Sequence, residues 1–279
     1  MTHEDGHFTS HDGCALYFQR WVPVDAPKAN LAVLHGMGEH SRRYRNFALW
    51  FKPLGYAVHA FDHRGHGKSP GPRGHIKHWA EFREDVRIFL EEVRGRVPDA
   101  PTFLVGHSLG GLIVLDYSLH YGEELSGVVA SGPALARGEG VSPLSMFAAK
   151  LLSPVLPWLR LGTGLAVEGL SRDGKVVQRY REDPLVHGWG TPRLGAEISR
   201  TMHWALAHAD AWPQALPLLI VHGEADPICP AYASERFFHN AGAGDKTRYV
   251  YPGYLHETFN EIGREQVLGD IQAWLEQHL

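Results

Sequence analysis

The residues Gly106-His107-Ser108-Leu109-Gly110 have the types and spacing that covalent chemistry on a hydroxyl requires. The apolar run Pro101-Thr102-Phe103-Leu104-Val105 before them reads as a buried strand, and Gly111-Leu112-Ile113-Val114-Leu115 after them reads as the start of a helix. A strand that turns directly into a helix at G-x-S-x-G is a nucleophile elbow. The serine takes a strained backbone conformation that lifts its hydroxyl above the sheet edge. The glycines two residues to either side remove side chains that would collide in so tight a turn. The helix N-terminus behind the serine offers free N–H groups to a developing oxyanion.

A serine hydroxyl is a poor nucleophile near neutral pH and needs a base, usually a histidine held by a carboxylate. With an elbow serine the chain order is serine, acid, histidine, the last two following the final sheet strands. Asp226 follows the apolar run Leu218-Leu219-Ile220-Val221 and the turn His222-Gly223-Glu224-Ala225, with Glu224 as its rival. His256 follows a strand-like run ending at Tyr251 and the turn Pro252-Gly253-Tyr254-Leu255. The sequence has 19 histidines, so any one of them is by default structural or solvent-facing; His256 alone combines order, strand and loop position. Two backbone N–H donors complete the set: Leu109, next to the nucleophile, and Met37, in the Gly36-Met37-Gly38 turn after the apolar run that ends at His35.

A sheet has to hold these residues. A strand-like stretch at 7–11 and an aromatic-rich one at 14–22 flank Asp12-Gly13 and read as a β-hairpin. Strand-like runs follow at 30–35, 56–61, 101–105, 125–131, 216–221 and 246–251. Helical spacing covers 42–54, 79–97, 230–240 and 258–278. In 79–97 it puts Phe82, Val86, Phe89, Leu90 and Val93 on one face. This alternation predicts an α/β fold, a mostly parallel central sheet flanked by helices.

The rhythm breaks between Ala134 and Ala215, where no strand is evident and the chain is too long for a loop. We read residues 134–215 as an inserted helical cap on a core made of 1–133 and 216–279. Val141, Leu144, Met146, Phe147, Leu151, Leu152, Val155, Leu156, Trp158 and Leu161 make that cap apolar. Part of this surface packs on the core; the rest suits an acyl tunnel or contact with a lipid surface, each buried methylene being worth about 0.8 kcal/mol.

The formal net charge of −4 gives no electrostatic case for a nucleic-acid partner. Cys14 and Cys229 fit no metal or C-x-x-C spacing, and the expected chemistry needs neither metal nor cofactor. Cys229, three residues past Asp226, reads as a small buried filler near the site. Met1 to Gly6 is polar, and no uninterrupted apolar run reaches the roughly 18 residues of a membrane span. A cytoplasmic protein that meets membranes only peripherally is the expectation.

Several stretches together resemble the monoacylglycerol lipase and lysophospholipase branch of the serine α/β hydrolases. They are His35-Gly36-Met37-Gly38-Glu39-His40-Ser41-Arg42-Arg43-Tyr44, Phe61-Asp62-His63-Arg64-Gly65-His66-Gly67-Lys68-Ser69, the elbow, His222-Gly223-Glu224-Ala225-Asp226 and Gly253-Tyr254-Leu255-His256-Glu257. Leu170-Ser171-Arg172-Asp173 and Asp183-Pro184-Leu185 in the cap are similar too, so the likeness covers nearly the whole chain. It implies an α/β-hydrolase fold and hydrolysis of a fatty-acyl monoester of glycerol, with Glu39 and Arg43 binding the glycerol head group. A lysophospholipase or a broad carboxylesterase would share the same catalytic residues. A non-catalytic α/β-hydrolase module used for binding is the alternative of another class; such modules usually lack a catalytic residue, and none is missing here.

Overall fold

The structure, a computed structural model, describes residues 2–138 and 143–279. Val141, placed above in the apolar cap, lies outside the described residues, as do the side chains of Leu144, Met146 and Phe147.

The chain opens on an antiparallel hairpin, β1 (Thr2–Thr9) and β2 (Ala15–Val22), with Thr9 opposite Ala15. The order then runs β3 (Ala29–Leu34), α1 (Arg45–Phe51), β4 (Tyr56–Phe61), α2 (Ala80–Arg96), β5 (Thr102–His107), α3 (Leu109–Tyr121) and β6 (Gly127–Ser131). Next come α4 (Pro143–Leu152), β7 (Leu161–Gly162), α5 (Gly174–Glu182), β8 (Trp189–Gly190) and α6 (Pro192–Ala207). The chain closes with β9 (Leu218–Gly223), α7 (Ala231–Asn240), β10 (Lys246–Tyr251) and α8 (Arg264–Glu276). One eight-stranded sheet has the order β1-β2-β4-β3-β5-β6-β9-β10. Only the β1–β2 and β2–β4 pairings in it are antiparallel. This is the α/β-hydrolase fold with an inserted helical region between β6 and β9.

Parallel strands carry helices on both faces, so every second side chain goes to a different layer. In β3, Leu31 and Val33 pack with Phe47, Phe51 and Ile271, from α1 and α8. Ala32 and Leu34 face the other layer, with Phe82 and Phe89 of α2 and Leu112 of α3. Each strand of a parallel pair points the same way, so the loops after β3, β5, β9 and β10 emerge at one edge. That edge carries the candidate chemistry.

The predicted helix over 42–54 is broken into a 3₁₀ turn, α1 and a second 3₁₀ turn. Pro53 and the left-handed Gly55 (φ 90°) prevent a continuous helix there. The sequence reading found no strand in the inserted region, yet the two-residue β7 and β8 pair there, too short to leave a periodic signal. It also passed over α5, whose Asp173 side chain caps the helix by accepting from Lys175 N–H and whose Val176, Val177 and Tyr180 are buried. Among the described residues no helix is long and apolar enough to cross a membrane.

Candidate active site

Ser108 sits between β5 and α3 with φ 55°, the one positive φ among the described non-glycine residues. The turn is held from several sides. Ser108 N–H donates to Ser131 O (3.0 Å), and Ser108 O accepts from Leu112 N–H and Ala134 N–H (both 3.0 Å). A Cβ at Gly106 would lie 2.2 Å from Gly110 O, and one at Gly110 would lie 2.2 Å from Leu34 O. Glycine at both positions is therefore a packing requirement that lets the elbow press against the end of β3.

Asp226 and His256, on the loops after β9 and β10, meet directly: His256 Nδ1 lies 2.7 Å from Asp226 Oδ2. Asp226 Oδ1 accepts from Ile228 N–H (2.8 Å) and Cys229 N–H (2.9 Å), and His222 Nε2 stands 3.2 Å from Oδ2. Burial would raise the Asp226 pKa, but the charge of His256 and the hydrogen bonds of His222 and His256 outweigh it and hold the carboxyl well below the usual range. An ionised carboxylate only accepts, so Nδ1 carries the imidazole proton and Nε2 keeps the lone pair. For His256, burial opposes protonation, while Asp226, then Glu257 and Glu39, favour it and leave the pKa raised. Glu224, the rival acid, is exposed and accepts from Gly253 N–H instead.

Ser108 and His256 line one cavity of about 320 Å³. Among the described residues no hydrogen bond joins the two, His256 being bonded to Asp226 through Nδ1, and the buried Cys229 lines the same cavity. Catalytic hydrogen bonds often tighten only once substrate is bound. Met37 and Leu109 line the same cavity. Leu109 opens α3, so its N–H has no partner within the helix. Leu165, Ile198, Met202 and Ile228 add apolar side chains to the cavity lining.

Glu39 and Arg43 belong to a buried polar cluster that reaches the base. Glu39 Oε1 accepts from Gly36 N–H (2.6 Å) and Tyr44 Oη (2.7 Å), and its Oε2 is 3.2 Å from Arg43 Nε. Arg43 Nη2 donates to both oxygens of Glu257 (2.8 and 2.7 Å), the residue after His256. The Arg43 guanidinium also lies 4.5 Å from the Tyr180 ring centre. Glu39 and Glu257 line the cavity, while Arg43 stands behind them. Burial raises the Glu39 pKa, with Arg43 opposing it. Sequence reasoning gave Glu257 no role, although its place beside His256 was a usable signal.

The inserted region closes over this loop. His187 N–H donates to Gly38 O (2.8 Å), and His40 Nε2 lies 3.0 Å from Asp183 Oδ2. His256 N–H and Glu257 N–H donate to Gly169 O (3.2 Å) and Leu170 O (2.7 Å).

A family model described as "Serine aminopeptidase, S33" matches residues 25–263. The monoacylglycerol lipase of Mycolicibacterium smegmatis is 35% identical over 283 residues, covering 100% of this chain and 99% of that protein. The monoglyceride lipase of Mus musculus is 34% identical, over 98% of this chain and 90% of that protein. The crystal structure of Paleococcus ferrophilus monoacylglycerol lipase aligns with a TM-score of 0.86 and 36% identity, covering 95% of this chain and 99% of that one.

Proposed function

The chain belongs to the monoacylglycerol lipase family of serine α/β hydrolases, a hydrolase of lipid-like esters, and we propose that its substrate is a fatty-acyl monoester of glycerol. The observation that carries this reading is the Ser108 elbow opening, beside the His256–Asp226 pair, onto an apolar cavity.

Ser108 Oγ attacks the ester carbonyl while His256 Nε2 takes its proton. Asp226 holds the imidazole in the tautomer this needs and stabilises the imidazolium that forms. The carbonyl oxygen becomes an oxyanion between the N–H groups of Met37 and Leu109; loss of one such donor typically costs about 3 kcal/mol. His256 then protonates the departing alcohol, and water, activated by the same imidazole, cleaves the acyl-enzyme. The acyl chain lies along Leu165, Ile198 and Met202, where burial contributes about 0.8 kcal/mol per methylene.

Two carboxylates at the cavity wall favour glycerol over a phospholipid head group. The negative charge of Glu39 and Glu257 repels a phosphodiester, a penalty that a neutral glycerol does not meet. Arg43 behind them supplies the positive charge that lets two acids share a buried wall. The exposed Leu151, Val155, Trp158 and Trp189 of the inserted region would give an aggregated lipid substrate an apolar surface to approach.

The test is a rate panel of monoacylglycerols of graded chain length beside lysophospholipids and short p-nitrophenyl esters. Highest kcat/KM on long-chain monoacylglycerols is expected; preference for short esters, with no response to glycerol, would make the protein a general esterase. Ser108→Ala should abolish turnover and fluorophosphonate labelling while leaving a folded protein.

A further inference from the structure

The loop that carries the Met37 N–H is fastened by Met37 packing on the core and by Gly38 O accepting from His187 N–H (2.8 Å). Gly36 and Gly38 on either side of Met37 bring no side chain, and a two-glycine turn is by itself conformationally permissive. Its anchor on the side of the catalytic base is Glu39. One carboxylate oxygen takes the Gly36 N–H at 2.6 Å, so that this amide faces back into the protein. Tyr44 Oη donates to the same oxygen at 2.7 Å. The other oxygen faces Arg43 Nε, and Arg43 grips both oxygens of Glu257 through Nη2. Glu257 is further held by Asn260 Nδ2 (3.0 Å) and, through its own N–H, by Leu170 O. Three links, Gly36 to Glu39, Glu39 to Arg43 and Arg43 to Glu257, run without a break from the oxyanion loop to the residue next to His256.

We propose that Glu39, Arg43 and Glu257 are positioning residues that fix the Met37 N–H relative to the His256 imidazole, and so act on every ester the site accepts. This rests on the function proposed above and extends it, because head-group binding alone would affect only substrates that bear the head group. Glu39 has little capacity left for glycerol, since both of its oxygens already have protein partners. Arg43 is not at the cavity wall.

The same links reach the proton chemistry. His256 is faced by Asp226, by the His107 ring at 4.5 Å, and by Glu257 and Glu39, with Arg43 beyond them and His222 behind Asp226. Both glutamates favour its protonated form. Removing either negative charge should therefore move the acid limb of kcat/KM to lower pH, which a contact that served only packing would not do.

The experiment compares wild type, Glu39→Gln and Glu257→Gln on p-nitrophenyl butyrate and on a monoacylglycerol, with full pH profiles. The expected result is a loss of kcat of about tenfold, equal on the two substrates, as small misplacements of reacting groups produce. The acid limb of Glu257→Gln should shift downward. A loss confined to the monoacylglycerol, with unchanged kinetics and pH profile on the butyrate ester, would overturn the proposal. Tyr44→Phe removes one hydrogen bond to Glu39 and keeps the test open should a glutamine variant fold poorly. It should lower kcat on both substrates by a smaller, equal factor, and unchanged butyrate kinetics would count against the proposal. A wild-type protein that neither labels at Ser108 nor cleaves the butyrate ester would instead remove the hydrolase reading itself.

Discussion

Gly38 and His187 are locked together across the boundary between the core and the inserted region: Gly38 O accepts His187 N–H at 2.8 Å, while His187 O lies where a Gly38 side chain would begin. An added Cβ at Gly38 would sit 2.4 Å from that carbonyl oxygen, and Gly38 has a φ of 76°. Only glycine meets both demands. The residue after Met37 is thus clamped from outside by the inserted region, as Gly36 is clamped from inside by Glu39.

Gly38→Ala should accordingly displace the oxyanion loop or push His187 away. We expect overpacking to cost about 1–3 kcal/mol of stability and kcat on p-nitrophenyl butyrate to fall at least about tenfold. Urea denaturation and steady-state kinetics on the purified variant check the two effects separately.

The His256 pKa is raised, so activity requiring neutral imidazole should climb with pH through a midpoint above the ordinary histidine value of about 6.5. Asp226→Asn removes the charge and the fixed tautomer. A drop in kcat of about 10⁴ is expected, and a pH–rate profile of both proteins measures it.

Ile198 on α6 lines the cavity beside Ser108. Ile198→Trp should shorten the chain the cavity can hold. Each methylene forced back into water should lower kcat/KM about fourfold, with butyrate esters spared. A chain-length series on the variant and wild type reads this directly.

A separate prediction concerns stability. Arg64 donates to Asp85 through Nε (2.7 Å) and Nη2 (2.6 Å), and Asp85 is fully buried. The hairpin joins this pair, since Ser10 Oγ donates to Asp85 Oδ1 at 2.5 Å and Arg64 Nη1 lies 2.9 Å from Asp12 Oδ2. Asp85→Ala takes the partner from Nε and Nη2 of a buried guanidinium, leaving it Asp12 and Glu81 at Nη1, and should cost about 3 kcal/mol. A lower urea midpoint with unchanged fluorophosphonate labelling in the native buffer would fit this purely structural role.

The local sequence determined the elbow, the alternation of strands and helices, and the neighbourhood of Asp226 and His256. Those signals are short in range: a strand-to-helix glycine pattern, apolar runs and turn residues act within a few positions. It could rank Asp226 above Glu224 by order and reach; only the tertiary structure brings the Asp226 carboxylate to His256 Nδ1 and turns Glu224 to Gly253 N–H. Tertiary structure alone joined Arg43 to Glu257, 214 residues along the chain, whereas Glu39 keeps to its near neighbours Gly36, Arg43 and Tyr44. It alone brought His187 and Asp183 onto the oxyanion loop. Such contacts depend on two surfaces meeting after the sheet has formed, and no periodicity in either segment encodes the meeting.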